Sequence, residues 1–216
     1  MKTMLGTAIA AAALAASLTL ASPALAQHAA HAAAAEAPGG KAVATGAALR
    51  DLWVGHIFWA RAVVTNSLAG NKAGAAAAEK QVVANAKSIA GAIEPYYGKD
   101  ASEKLFGLLA GHYGAIKEFL QAGGDKAKED AALKKLTGNA GEIAKFLSGA
   151  NPNLPLNTLQ GLLLAHGGHH VQQIRQLRAK QYAEEAQTWE AMKNHMYVVA
   201  DALAGAIVKQ FPAKFS

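Results

Sequence analysis

From Ala47 onward, apolar residues recur every three or four positions, and each run stops at a short polar, glycine or proline break. In the first run Leu49, Leu52, Trp53, His56, Ala60 and Val63 share one helical face, which ends at Gly70-Asn71. A second helix is predicted as far as Ile93, stopped by Pro95. Asp100 and Glu103 form a capping-box pattern for a third, which ends at Gly123-Gly124. Asp125 caps a fourth, which ends near Gly149 ahead of Asn151-Pro152. Asn157 and Gln160 open a fifth, and a sixth runs to Gln210 before Pro212. No stretch alternates with period two, so strands are not expected.

The helices also resemble one another. Leu52-Trp-Val-Gly-His56, Leu108-Leu-Ala-Gly-His112 and Leu162-Leu-Leu-Ala-His166 follow one pattern. Asn85-Ala-Lys-Ser-Ile89, Asn139-Ala-Gly-Glu-Ile143 and, more loosely, His195-Met-Tyr-Val-Val199 follow another. The first pattern recurs after 56 and 54 residues, the second after 54 and 56. This spacing predicts an all-α, up-and-down bundle of six helices built from three repeated helical hairpins. Each hairpin carries a histidine on its first helix and Asn85, Asn139 or His195 on its second. Every one of these six lies 13 or 14 residues from its hairpin turn, which at ~1.5 Å per residue puts all of them about 20 Å from it, in one layer.

The layer sits within the apolar stripes, where a buried polar group without a partner costs on the order of 1–3 kcal/mol. Two readings satisfy it. In the first, each histidine bonds its opposite residue, giving the pairs His56–Asn85, His112–Asn139 and His166–His195, and the layer only sets helix register in a non-catalytic structural or interaction bundle. In the second, the layer holds a metal. His166 and His170 are four residues apart on one helix face, with His195 opposite and His169 one residue off that face. His166, His170 and His195 are then the central ligands. His56, His112 and His169 follow as ligands or supports, and Asn85 and Asn139 as a supporting polar layer. Neutral imidazoles without carboxylates favour zinc or copper, with nickel also compatible, over calcium or magnesium.

Composition narrows the chemistry further. The 216 residues contain no cysteine, which excludes disulfides, thiolate metal sites and cysteine nucleophiles. The apolar fraction of 52% is dominated by alanine, whereas aromatic residues make up 6%. Such small side chains favour close helix packing and leave little room for haem. Paired ExxH units with further inward glutamates, as a di-iron bundle needs, are missing. No nucleophile elbow, phosphate loop or HExxH motif occurs, and no enzymatic activity is expected.

Lys2, the apolar run Met4–Leu20 and Ala24-Leu25-Ala26 read as a cleaved export signal over residues 1–26, with Gln27 as the first mature residue. A periplasmic or secreted location follows from it. Residues 27–45 read as a flexible Ala/Gly/His tether, and 46–216 as the bundle. In the tether, His28 beside a free amino terminus is a minor copper-chelating arrangement. No later segment is apolar enough to span a membrane. The net charge of +6 is spread over helix faces with no basic cluster, so a nucleic-acid partner is not expected, and no protein partner is indicated.

The stretches LWVGHIFWAR (52–61), NAKSIAGAIEPYYG (85–98), LLAGHYG (108–114) and VADALAGAIVKQFPAKF (199–215) are similar to those of a family of small uncharacterised bacterial helical proteins. The resemblance covers most of the chain after the leader. It supports a secreted or envelope helical bundle and implies no activity. The Gly167-Gly168-His169-His170 segment departs locally from plain bundle sequence.

Overall fold

The computed structural model describes residues 39–216. The expected leader, and the tether as far as residue 38, lie outside the described residues. Six helices follow in order: α1 (Gly40–Leu68), α2 (Lys72–Tyr97), α3 (Lys99–Gln121), α4 (Lys126–Ala150), α5 (Leu156–Arg178) and α6 (Tyr182–Gln210), with a final 3-10 turn at Pro212–Lys214. Among the described residues there is no strand, so this part of the chain is an all-α bundle. None of its helices is long and apolar enough to cross a membrane.

Each helix packs against the next through a short turn, and α6 returns to pack on α1, closing a ring. Across the ring, α5 also touches α1 and α3. Helices α1, α3 and α5 therefore turn the centres of their stripes toward the middle. The buried positions say the same: Trp53, His56, Ile57 and Ala60 on α1, Leu108, Leu109, His112 and Ile116 on α3.

Two helix ends have a clear chemical cause. The Asn71 side chain accepts from the Gly74 amide at 3.0 Å, and Asp125 accepts from the Lys128 amide at 3.2 Å. Other boundaries differ from the sequence expectation. Helix α1 starts at Gly40, inside the expected tether, because Ala42 packs on the core and Lys41 donates to the Ser216 carbonyl at 2.9 Å. Helix α2 continues through Pro95 to Tyr97. In the last turn a proline forfeits a single backbone bond, here at the exposed Gly91. Tyr97 repays that loss by bonding Gln210 at 2.8 Å and Asn151 at 2.9 Å. Asp100 is not a cap but part of the first turn of α3, which starts at Lys99, and α5 starts at Leu156, ahead of Asn157.

The apolar core is divided. One cluster contains Leu49, Trp53, Leu105, Leu108, Leu159 and Leu163, all N-terminal to the histidine of their own helix. A second contains Val64, Ile116, Phe119, Leu120, Val171 and Ile174, all C-terminal to it. The histidines form the level between them.

Candidate metal centre

His56 of α1, His112 of α3, and His166 and His170 of α5 meet at that level, each between 1% and 3% exposed. The His166 and His170 rings, one helical turn apart, are edge-to-face with centroids 4.6 Å apart. His112 stacks on His166 at 5.3 Å, and His56 lies 5.5 Å from His166 and 5.8 Å from His170. One ring nitrogen from each of the four lies within 4.8 Å of the other three. Four nitrogens bonded tetrahedrally to one ion at ~2.0–2.1 Å are about 3.3 Å apart, so the set has to contract to hold one.

Seven of the eight ring nitrogens find no hydrogen-bond partner among the described residues. Both nitrogens of His56, His112 and His166, and Nε2 of His170, are buried without a hydrogen-bond partner. A neutral imidazole carries one donor and one acceptor, and leaving either unmade in a core is rare and costly. Trp53 meets His56 edge-on, with ring centroids 5.9 Å apart.

The same enclosure keeps the rings neutral. Burial, with the neighbouring His112 adding to it, pushes His56 down to about 3. Burial pushes His112 down to about 4. His166 and His170 fall well below the ordinary histidine value, first through burial and then through the surrounding histidines. All four therefore present lone pairs at neutral pH, the form in which imidazole binds metal.

The second-helix residues of the predicted layer do something else. Asn85 donates to the Leu52 carbonyl at 3.0 Å, and Asn139 to the Leu108 carbonyl at 3.0 Å. His195 Nε2 lies 2.9 Å from the Leu162 carbonyl. In each case the acceptor is the residue four before the first-helix histidine. The expected pairs His56–Asn85, His112–Asn139 and His166–His195 are not formed. Close approach makes the backbone contact possible: a Cβ on Gly55 or Gly111 would come within 3.1 Å of the opposing asparagine amide.

His195 therefore lies outside the four-histidine group, and so does His169; these two adjoin each other, with centroids 5.6 Å apart, in half-buried positions. Their absence from the centre follows from helix rotation. The α6 stripe is centred on Met192, Met196 and Val199, so position 195 is at its edge, turned toward α5.

Glu185 is a buried charged residue that periodicity did not single out. Glu185 is 2% exposed and receives both Arg61 Nε at 2.6 Å and Arg61 Nη2 at 2.5 Å, with Gln173 donating at 2.9 Å. Its place on the stripe, seven residues before Met192, was the available signal. Arg61 thereby ties α1 to α6.

No protein-family model, curated protein or solved structure matches the chain. Its chemistry is therefore read from its own residues: a buried, carboxylate-free group of four histidines in an all-α bundle, compatible with holding a metal ion.

Proposed function

We propose that the protein is an exported metal-binding protein that sequesters one zinc or copper ion among His56, His112, His166 and His170. The observation that carries this reading is the set of unpaired, fully buried ring nitrogens brought within 4.8 Å of one another. A metal ion is the partner that accepts four lone pairs at once and removes the cost of burying them. Four protein ligands also fill a tetrahedral shell, which suits retention rather than Lewis-acid catalysis at an open position. The absence of carboxylates from the group disfavours calcium and magnesium. Asn85 and Asn139 each keep a buried, unpaired Oδ1 beside this layer, an acceptor suited to an imidazole N–H whose other nitrogen holds the ion.

Export rests on the leader-like residues 1–26. Terminal sequencing of the chain recovered from the producing cells is expected to start at Gln27, and an intact Met1 terminus overturns that part. For the metal, tag-free protein is analysed after exposure to Zn(II) and Cu(II). One ion per chain and a raised melting temperature are expected, with both lost in the double variant His112→Ala/His166→Ala. No uptake by the unsubstituted chain overturns the reading.

The second reading is a non-catalytic structural or interaction bundle. It is favoured by the three carbonyl bonds of Asn85, Asn139 and His195, which fix the height of each helix pair without any ligand. It assigns no task to the four central histidines.

A further inference from the structure

The third hairpin differs from the other two at the same structural positions. In α1 and α3 the carbonyl contact is made by asparagine facing a glycine, Asn85 with Gly55 and Asn139 with Gly111. In α5 the contact is made by His195, and the residue at the glycine position is Ala165. Asparagine evidently suffices for the bond, so holding register does not explain the imidazole. A carbonyl oxygen only accepts, so His195 Nε2 must carry the proton in that contact, and in the neutral ring Nδ1 keeps the lone pair. His195 thus makes the structural bond with one nitrogen and retains a metal-binding nitrogen on the other.

His169 adjoins it, with ring centroids 5.6 Å apart. The residues at its position in the other two hairpins, three after His56 and His112, are Trp59 and Ala115. Neither ligates a metal. His169 is half-buried, whereas the four central rings are sealed. The two are also next to the centre: His169 immediately precedes His170 in the chain, and His195 bonds the carbonyl one turn before His166. His170 in turn is the one central ring whose Nδ1 is not among the buried, unpaired nitrogens.

From this placement, the geometry points to His169 and His195 as an outer, two-histidine metal site through which the ion enters and leaves the four-histidine centre. The inference rests on the metal reading of that centre. An ion stripped of water needs replacement ligands at each stage of its passage into an apolar core, and two imidazoles at the rim supply the first pair. Because the outer pair is a waypoint and not part of the final shell, its loss slows filling and emptying alike and leaves the equilibrium unchanged.

The test uses Zn(II) and the full bundle. His195→Asn keeps the carbonyl bond that asparagine makes in the other hairpins, and Ala165→Gly added to it rebuilds the glycine–asparagine pair. His169→Gln, at the rim, is an independent variant whose folding does not depend on that contact. Zinc loading is followed by stopped flow, zinc removal by a chromogenic chelator in excess, and affinity by competition at equilibrium. At least tenfold slower loading and removal, with affinity within about twofold of the unsubstituted chain, is the expected result. Unchanged rates overturn the outer site while leaving the centre intact. A tenfold or greater loss of affinity also overturns it, because the two histidines would then be ligands of the bound ion. Failure of the unsubstituted chain to take up zinc overturns the centre itself, and is distinguished by occurring before any substitution.

Discussion

Asn139 donates its side-chain amide to the carbonyl oxygen of Leu108 at 3.0 Å, one turn before His112, and leaves that histidine with no hydrogen bond. The same division holds in the first hairpin, where Asn85 serves Leu52 and His56 is unpaired. Polar residues at one height in the bundle thus have two tasks. Those on α2, α4 and α6 fix helix to helix, and those on α1, α3 and α5 converge with their nitrogens unspent.

The amide bonds are expected to matter for stability in the metal-free protein. Asn139→Ala or Asn85→Ala removes one bond to a backbone carbonyl and is expected to lower stability by about 1 kcal/mol. Urea unfolding measures it. No change in either variant would show that the contact does not fix the helix pair.

The central histidines are expected to act in the opposite direction. His112→Leu or His166→Leu replaces unpaired buried nitrogens by an apolar side chain and should stabilise the metal-free protein by about 1–3 kcal/mol. The same variants should lose metal-dependent stabilisation. Opposite signs in the two states are the signature of a site held for a ligand; destabilisation in both would indicate a purely structural role.

Acid is expected to weaken the metal-free fold in a defined window. His56 is held down to about 3 and His112 to about 4 when folded, chiefly by burial, against about 6.5 in the unfolded chain. Between those values the unfolded chain binds more protons, so stability is complete above about pH 6.5 and falls as pH is lowered. The slope approaches about 1.4 kcal/mol per pH unit for each buried histidine. Urea midpoints at pH 7.5, 6 and 5 measure it, and His112→Leu should flatten the curve. A pH-independent midpoint would contradict neutral burial of the rings.

Two arginine–carboxylate pairs that join α1 to α6 are expected to differ in weight. Glu185 is buried at 2% and bound by Arg61 and Gln173, so Glu185→Ala strands a partly buried guanidinium and opens a hole, at a cost of about 3 kcal/mol. Asp201 pairs with Arg50 with both side chains about half exposed, and Asp201→Ala should leave the melting temperature nearly unchanged. Thermal unfolding of both variants, metal-free, makes the comparison; equal losses would contradict it.

Much of this was legible in the residues. The period of Leu49, Trp53, Ala60 and Val63 marked α1, Gly70-Asn71 marked its end, the Asp125 cap marked the start of α4, and equal distances from the turns put the histidines at one height. What periodicity does not give is rotation within a wide stripe. His56, His112 and His166 lie at the centre of theirs, whereas Asn85, Asn139 and His195 are edge positions flanked by Ala86, Ala140 and Met196, which take the buried centre. Height alone therefore grouped His195 with His166 and His170. That α5 crosses the ring to α1 and α3 is a tertiary fact, and it is what makes His56 and His112 the companions of the α5 pair. The Pro95 boundary failed for a local reason, since a proline in a last turn anchored by Tyr97 ends nothing.

The central claim is that one ion is bound by four imidazoles, and X-ray absorption at the metal edge of tag-free protein loaded with one equivalent of Zn(II) tests it most directly. The expected spectrum has four nitrogen neighbours at ~2.0–2.1 Å with the outer-shell scattering of imidazole rings, and His112→Ala lowers the imidazole count. A shell dominated by oxygen, or one unaltered by His112→Ala, would contradict it.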